Sequence, residues 1–141
     1  MQATSRRIVT NQAGPPQGLE ARVARALQHP WRKPVAEHTR EAFASAARWR
    51  EARSDMPLIL DAGCGVGIST RRLAEAFPDH AVIGVDRSDS RLTREHGPLP
   101  DNALLVRADL VDFWRLAFRA GWRTARHYLL YPNPYPKASL L

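Results

Sequence analysis

The sequence predicts an α/β fold in which a mainly parallel, doubly wound sheet follows a set of N-terminal helices. Short apolar runs, each closed by a polar residue or a glycine cluster, alternate with segments of helical periodicity. This alternation is typical of parallel strands joined by right-handed helical crossovers. The 141 residues allow a single domain, and 44% hydrophobic and 25% charged residues are the balance of a soluble globular protein.

Residues 1–56 are predicted to form a basic lead-in and two helices. Glycine and proline interrupt residues 1–18, apolar residues recur at helical spacing over 19–27, and a second helix is expected from about residue 38 to residue 53. This segment holds ten basic and five acidic residues, which gives +5 of the chain's net charge of +7. An arginine-rich surface suits a polyanion such as nucleic acid, but a solvated helix face explains the excess equally well.

Residues 57–141 are predicted to form the sheet and its helices. A helix capped by Ser69 or Thr70 is expected after the first strand, a short helix starts near Ser88, and an amphipathic helix runs from Leu110 to Phe118. The four expected strands are Leu58–Leu60, Ala81–Val85, Ala103–Val106 and Tyr128–Tyr131. Because ligands of such sheets bind beyond the carboxyl ends of the strands, the chemistry is expected at the polar residues there. These are Asp61, Asp86, Asp109 and Asn133.

The turn after the first strand carries a glycine motif, Asp61-Ala62-Gly63-Cys64-Gly65-Val66-Gly67. Glycines let backbone amides approach a ligand and permit the positive φ of a tight turn. A dinucleotide fingerprint needs its third glycine at position 68, which is Ile68. The spacing G-x-G-x-G after an acid is the form that methyltransferases use, so the motif favours S-adenosylmethionine as cofactor. A tight turn without a ligand is the alternative.

Two further acids close predicted strands. Asp86 follows Gly67 by 19 residues, and a carboxylate there can accept hydrogen bonds from both hydroxyls of a ribose. The alternative is that Asp86 only caps the helix near Ser88. Asp109 has two balanced interpretations: it accepts from an adenine amino group, or it is the N-cap of the helix that begins at Leu110.

Composition argues against several other classes of site. The single cysteine, Cys64, leaves too little sulfur for a zinc site, and the five histidines show no metal spacing, so no metal is expected. Cys64 is expected to be a small buried residue and not a nucleophile, because no histidine lies near it in the sequence. No apolar run approaches the roughly 20 residues that a membrane span needs, and a cytoplasmic location is expected.

The segment after the fourth strand is proline-rich: Tyr131-Pro132-Asn133-Pro134-Tyr135-Pro136-Lys137. Alternating prolines favour a stiff, extended loop where this strand reaches the site. Stiffness there helps to hold a substrate base in line with a methyl donor. The alternative is a proline-rich exit from a strand, with no function.

Taken together, these motifs resemble the bacterial tRNA (guanine-N7-)-methyltransferases. Besides the glycine turn and the proline loop, the resemblance rests on Phe77-Pro78-Asp79, Ile83-Gly84-Val85-Asp86 and Arg107-Ala108-Asp109, and it covers nearly the whole chain. It implies a Rossmann-like domain that methylates N7 of a guanine in tRNA. It places Asn133 at the catalytic position and Lys137 at a substrate contact. It places six residues at the S-adenosylmethionine site: Asp61, Gly63, Gly65, Gly67, Asp86 and Asp109.

The chain departs from this family in two respects. The family usually has aspartate at the position of Asn133, and asparagine offers a single acceptor without charge. The family also continues well beyond the proline loop, so the chain is expected to be an incomplete product. One alternative is an N6-adenine methyltransferase, since Asn133-Pro134-Tyr135 is similar to the Asn-Pro-Pro-Tyr motif. Another is a non-catalytic remnant that binds only cofactor or RNA.

Overall fold

The computed structural model describes residues 14–15, 17–94 and 96–130. From Pro34 onward the described chain forms one compact unit, while the first helix belongs to a separate unit. That helix, α1, spans Leu19–Gln28 and buries none of its residues. No helix in these ranges is long and apolar enough to cross a membrane. The remaining elements are α2 (Glu37–Glu51), β1 (Leu58–Ala62), α3 (Ile68–Ala76), β2 (Ala81–Asp86), α4 (Asp89–Leu92), β3 (Ala103–Arg107), α5 (Leu110–Arg119) and β4 (Arg126–Tyr128).

The four strands form a parallel sheet in the order β3-β2-β1-β4. The β1 strand lies inside the sheet, where it pairs with β2 along its whole length and with β4 through residues 59–61. Strand order reverses at β1, and ligands of such sheets bind beyond the carboxyl ends of the strands at a reversal of this kind. The predicted mainly parallel α/β fold is confirmed.

Side chains of alternate strand residues point to the two faces of the sheet. On one face α2 and α5 cover Leu58, Leu60 and Ile83, and the fully buried Phe113 of α5 is at the centre of this core. Its ring packs edge-to-face against that of Phe43, with the two ring centroids 5.3 Å apart. On the other face α3 covers a smaller core, made of Ile59, Ala74, Val82 and Ala103. The α2 helix packs against α5. The expected domain boundary at residues 56 and 57 stays a prediction.

The fourth strand begins and ends earlier in the sequence than the apolar pattern predicts. It spans Arg126–Tyr128, whereas Leu129 and Leu130 are exposed and Tyr131 lies outside the described residues. Backbone pairing to β1 sets its position, beginning with the amide of Ala125, which donates to the carbonyl of Leu58 at 2.8 Å. Arg126 lies over the ring of Phe77 on one face of the sheet, and His127 meets the ring of Trp114 on the other. Aromatic contacts thus accommodate polar residues that a hydrophobic pattern excludes from a strand.

The predicted N-cap of α3 is wrong. The cap is Gly67, in the left-handed conformation at φ 85°, and no side chain caps the helix there. The hydroxyls of Ser69 and Thr70 instead donate to Asp61, the residue near the end of β1. A buried carboxylate competes successfully for both hydroxyls because its desolvation must be offset by hydrogen bonds.

The end of α2 uses two of the basic residues of the N-terminal segment. The guanidinium of Arg53 lies 4.0 Å from the centre of the Trp49 ring and donates to the carbonyls of Trp49 and Asp101, each at 3.1 Å. Arg50 donates to the carbonyl of Arg53. Both arginines therefore satisfy carbonyls at a helix end, as cations near a helix C-terminus commonly do.

The C-terminal end of α3 is held by the side-chain amide of one residue, Asn102. Asn102, just before β3, donates from Nδ2 to the carbonyls of Ala74, Phe77 and His80 at 3.0, 3.2 and 2.9 Å. These carbonyls belong to the last turn of α3 and to the chain that leads into β2. One side chain therefore fixes this connection at the amino edge of the sheet.

Candidate functional site

The chain passes from β1 into α3 through the glycine turn, residues 63–67. Gly63, Gly65 and Gly67 all have positive φ, at 71°, 59° and 85°, a conformation that other residues adopt only with strain. At Gly67 a side chain would also meet Leu105, whose Cδ1 lies 2.8 Å from an ideal Cβ position. Space around Gly63 and Gly65 is open, so a ligand can reach their backbone.

The turn is held from below by β2. The amides of Gly63 and Cys64 donate to the carbonyl of Val85 at 2.8 and 3.0 Å. The amide of Gly65 donates to Oδ2 of Asp86 at 2.9 Å. The carboxyl ends of β1 and β2 are thereby coupled, and these three hydrogen bonds define the shape of the turn.

Asp61 is fully buried beneath the first turn of α3. Its Oδ2 accepts from the hydroxyls of Ser69 and Thr70 at 2.6 and 2.7 Å. Its Oδ1 is also buried and has no hydrogen-bond partner among the described residues. The position therefore concentrates negative charge under the glycine turn.

Asp86, at the end of β2, is nearly buried, with 7% of its surface exposed. Its Oδ1 accepts from the amide of Ser88 at 2.8 Å, and its Oδ2 from Gly65. Asp86 is not the N-cap of α4, which is Ser88, but its carboxylate accepts from the amide of that residue. The ribose interpretation stays a prediction, because each oxygen has a second lone pair. The guanidinium of Arg91 lies 3.9 Å from Oδ2.

Asp109 acts as the N-cap of α5. Its Oδ1 accepts from the amide of Asp112 at 3.0 Å, and its own amide donates to the hydroxyl of Thr39 in α2 at 3.1 Å. The capping interpretation is therefore confirmed. Its side chain is half-buried, so a contact with an adenine amino group stays a prediction.

Cys64 faces the interior of the turn. Burial, together with the nearby carboxylates of Asp61 and Asp86, raises the pKa of its thiol to about 12. At neutral pH the residue is a thiol and not the thiolate that a nucleophile requires. This agrees with its expected role as a small buried residue.

An open pocket of about 680 Å³ lies at the carboxyl edge of the sheet beside the glycine turn. Its volume is within the range of small-molecule sites. The turn forms one wall, α3 forms a second, and Arg91 and Leu130 complete the lining. The wall residues are Gly63, Cys64, Gly65 and Val66 from the turn, and Ile68, Ser69, Arg72, Leu73 and Ala76 from α3.

Residues 59–123, from β1 to just beyond α5, match a methyltransferase domain family. The match spans just under half of the chain and supports a class I methyltransferase domain in this region. S-adenosylmethionine is accordingly its methyl donor. The match leaves the substrate open, since families of this fold differ in what they methylate.

The relatives of this region include methyltransferases that act on two different substrates. Trans-aconitate 2-methyltransferase of Acidovorax sp. (strain JS42) is 39% identical over 77 residues, which cover 55% of this chain and 29% of the relative. A tRNA (guanine-N(7)-)-methyltransferase of Christiangramia forsetii is 28% identical over 109 residues, 72% of this chain and 47% of the relative. The corresponding Mycolicibacterium gilvum protein is 32% identical over 93 residues, 58% and 34% of the two chains. The chain thus spans less than half the length of each of these relatives. No solved structure matches.

The residues of the methyltransferase domain fit its cofactor. S-adenosylmethionine carries a sulfonium and an ammonium group, and the site offers buried carboxylates at Asp61 and Asp86. Oδ1 of Asp61, which has no hydrogen-bond partner in the described part of the chain, and the open glycine backbone are features that a cationic ligand complements.

The structure brings Asp61, Asp86 and the three glycines together, with Asp109 at the start of α5 after the neighbouring strand β3. Asn133, Lys137 and the proline loop lie outside the described residues. The sequence did not identify Thr70 as a hydrogen-bond donor to Asp61. Nor did it identify Gly84, where an ideal Cβ atom would lie 2.2 Å from Thr70 Oγ1. An isolated glycine inside a strand pattern is a signal of close approach that could have identified Gly84.

Proposed function

We propose that this domain transfers the methyl group of S-adenosylmethionine to N7 of a guanine in tRNA. The observation that carries the proposal is the glycine turn with the carboxylates of Asp61 and Asp86 beneath it. The tRNA substrate is supported by the relatives that act on guanine N7, one of which matches 72% of this chain. It is also supported by the net charge of +7.

Each residue has a proposed role toward the cofactor. Asp86 holds the ribose hydroxyls with its remaining lone pairs, and Asp109 contacts the adenine. The backbone of Gly63, Gly65 and Gly67 approaches the ligand, which when bound supplies an electrophilic methyl group on a cationic sulfur. Asp61 supplies negative charge below the turn.

The acceptor side of the proposal requires no general base. Guanine N7 carries a free lone pair, and none of the described residues that line the pocket is a histidine or an ionised thiol. What the protein must supply is alignment and exclusion of water. Asn133 as the base-contacting residue and Lys137 as a substrate contact follow from the resemblance alone.

A second candidate acceptor is a small carboxylic acid such as trans-aconitate. It is favoured by the 39% identity of the Acidovorax relative and by the two arginines, Arg72 and Arg91, that line the pocket. A carboxylate, like guanine N7, needs no base before methylation.

The two candidates are separated by incubating the protein with methyl-labelled S-adenosylmethionine and either tRNA or trans-aconitate. Label recovered as 7-methylguanosine after nuclease digestion supports the tRNA proposal. Label in a trans-aconitate ester supports the second candidate and removes the first. At S-adenosylmethionine concentrations below its Kd, Asp86→Ala should lower transfer about ten- to a hundred-fold. Glu75→Ala, which removes an exposed acid on α3, is the matched control. Transfer to neither acceptor would reject both.

A further inference from the structure

The wall of the pocket that α3 contributes has a single charged residue. Ile68, Ser69, Arg72, Leu73 and Ala76 form one stripe of the helix, since residues four apart lie on the same side. The hydroxyl of Ser69 already donates to Asp61. Arg72 is therefore the side chain of this wall with free hydrogen-bond donors.

Neighbouring arginines have other contacts. Arg71 donates to the carbonyl of Pro98, and Arg91 lies 3.9 Å from the Asp86 carboxylate. Arg72, by contrast, is exposed and makes no hydrogen bond or ion pair with another described residue. Its guanidinium is available to a ligand.

Charge is distributed unevenly across the pocket. The buried carboxylates of Asp61 and Asp86 lie beneath the glycine turn. None of the described residues that line the pocket is acidic, and Arg72 and Arg91 are the basic ones. A cationic ligand is favoured at the turn and an anionic one at the α3 wall, and such complementarity selects among ligands.

We infer that Arg72 forms an anion subsite, which holds a carboxylate or phosphate of the acceptor molecule opposite the cofactor. This inference rests on the proposed methyl transfer in the same pocket. Arginine suits the role because its planar guanidinium donates two parallel hydrogen bonds to a carboxylate or a phosphate. The two sources of the anion are a small polycarboxylate and the backbone of tRNA.

Binding measurements on the full chain test the subsite without turnover. Trans-aconitate and tRNA are titrated separately into the protein, with and without S-adenosylhomocysteine. The variants are Arg72→Gln, Arg72→Lys and the matched control Arg119→Gln. Arg119 is an exposed arginine at the end of α5, the helix that covers the other face of the sheet.

For one of the two acceptors, Arg72→Gln should raise the Kd about ten- to a hundred-fold, the effect of losing hydrogen bonds to a charged group. Arg72→Lys should recover part of the affinity. The control Arg119→Gln should leave the Kd of both acceptors unchanged. The Kd of S-adenosylhomocysteine should stay within about twofold in every variant, because the subsite is separate from the carboxylates. A loss for trans-aconitate identifies a small acid, and a loss for tRNA identifies a phosphate.

Three results would overturn the subsite: an unchanged Kd for both acceptors in Arg72→Gln, an equal loss in Arg119→Gln, or no binding of either acceptor to the unaltered protein. If S-adenosylhomocysteine still binds in those cases, the cofactor site survives and only the subsite fails. If S-adenosylhomocysteine does not bind but Arg72 still governs acceptor affinity, the proposed methyl transfer fails and the anion subsite stands.

Discussion

Replacing Gly84 by alanine should disrupt the contact between β2 and the cofactor turn. Gly84 lies inside the sheet, and its ideal Cβ position is 2.2 Å from Thr70 Oγ1, 3.0 Å from Leu105 Cδ2 and 3.1 Å from Cys64 Cβ. Thr70 is fully buried, so its hydroxyl must move away from Asp61 or the strand must shift. In either case the buried carboxylate loses a donor.

The magnitude follows from the separate effects. Overpacking a core costs about 1–3 kcal/mol, and losing a hydrogen bond to a charged group costs about 1.5–3 kcal/mol. Alanine also lowers the conformational entropy of the unfolded chain, which stabilises the folded protein by about 0.4–1 kcal/mol. The free energy of unfolding should therefore fall by about 1.5–5.5 kcal/mol, a large fraction of the stability of a typical domain.

Urea unfolding gives the assay for this change. With a slope of about 1–3 kcal/mol per molar urea, the midpoint should fall by about 0.5 M or more. A double-mutant cycle with Thr70→Ala supplies the control, because removing Oγ1 relieves the closest contact and should make Gly84→Ala less costly. An unchanged midpoint in Gly84→Ala, or strict additivity with Thr70→Ala, would refute the reasoning.

Three further predictions concern the cofactor, the thiol and the basic segment. Asp86→Ala should weaken S-adenosylmethionine binding by about 1.5–3 kcal/mol; calorimetric titration that finds equal affinity would remove Asp86 from the site. Because the folded-state pKa of Cys64 is raised from 9.0 to about 12, the folded protein keeps a proton that the unfolded chain loses, so stability should fall as pH rises through that window. The urea midpoint of Cys64→Ala should fall less between pH 8 and pH 10.5, and parallel pH profiles would contradict this. If the N-terminal segment contacts phosphates, tRNA binding should weaken steeply with salt, and filter binding should show a flatter slope after four basic residues are neutralised; an unaltered slope would place the RNA surface elsewhere. The four are Arg6, Arg7, Arg32 and Lys33.

The first three strands could be predicted from the sequence because each is an apolar run that ends at a polar residue or a turn. The fourth could not, since Arg126 and His127 are polar and belong to the sheet through backbone pairing with β1. Hydrophobic periodicity does not report pairing at the edge of the described sheet. The left-handed N-cap of α3 at Gly67 could not be predicted either. Serine and threonine are preferred N-caps, so the nearby Ser69 and Thr70 were the expected ones.

In the site, Asp61 and Asp86 could be predicted because parallel strands deliver their carboxyl ends to one edge. What the sequence does not contain is how each carboxylate is used. Asp61 reaches Ser69 and Thr70 only because the glycine turn brings the start of α3 back over the strand. Arg72 carries no sequence signal at all, as a lone arginine on a helix is usually a solvated residue, and its significance depends on the pocket that it lines.

The bonds that Asn102 makes to the end of α3 have a mechanical consequence for the pocket. Asn102 ties the last turn of the helix and the chain after it at the amino edge of the sheet. At the carboxyl edge the hydroxyls of Ser69 and Thr70 tie the first turn to the buried Asp61. A helix of nine residues, about 13 Å long, is thus fastened to the sheet at both ends. The α3 wall of the pocket is therefore rigid, and Arg72 reaches a ligand by rotating its own side chain and not by a movement of the helix.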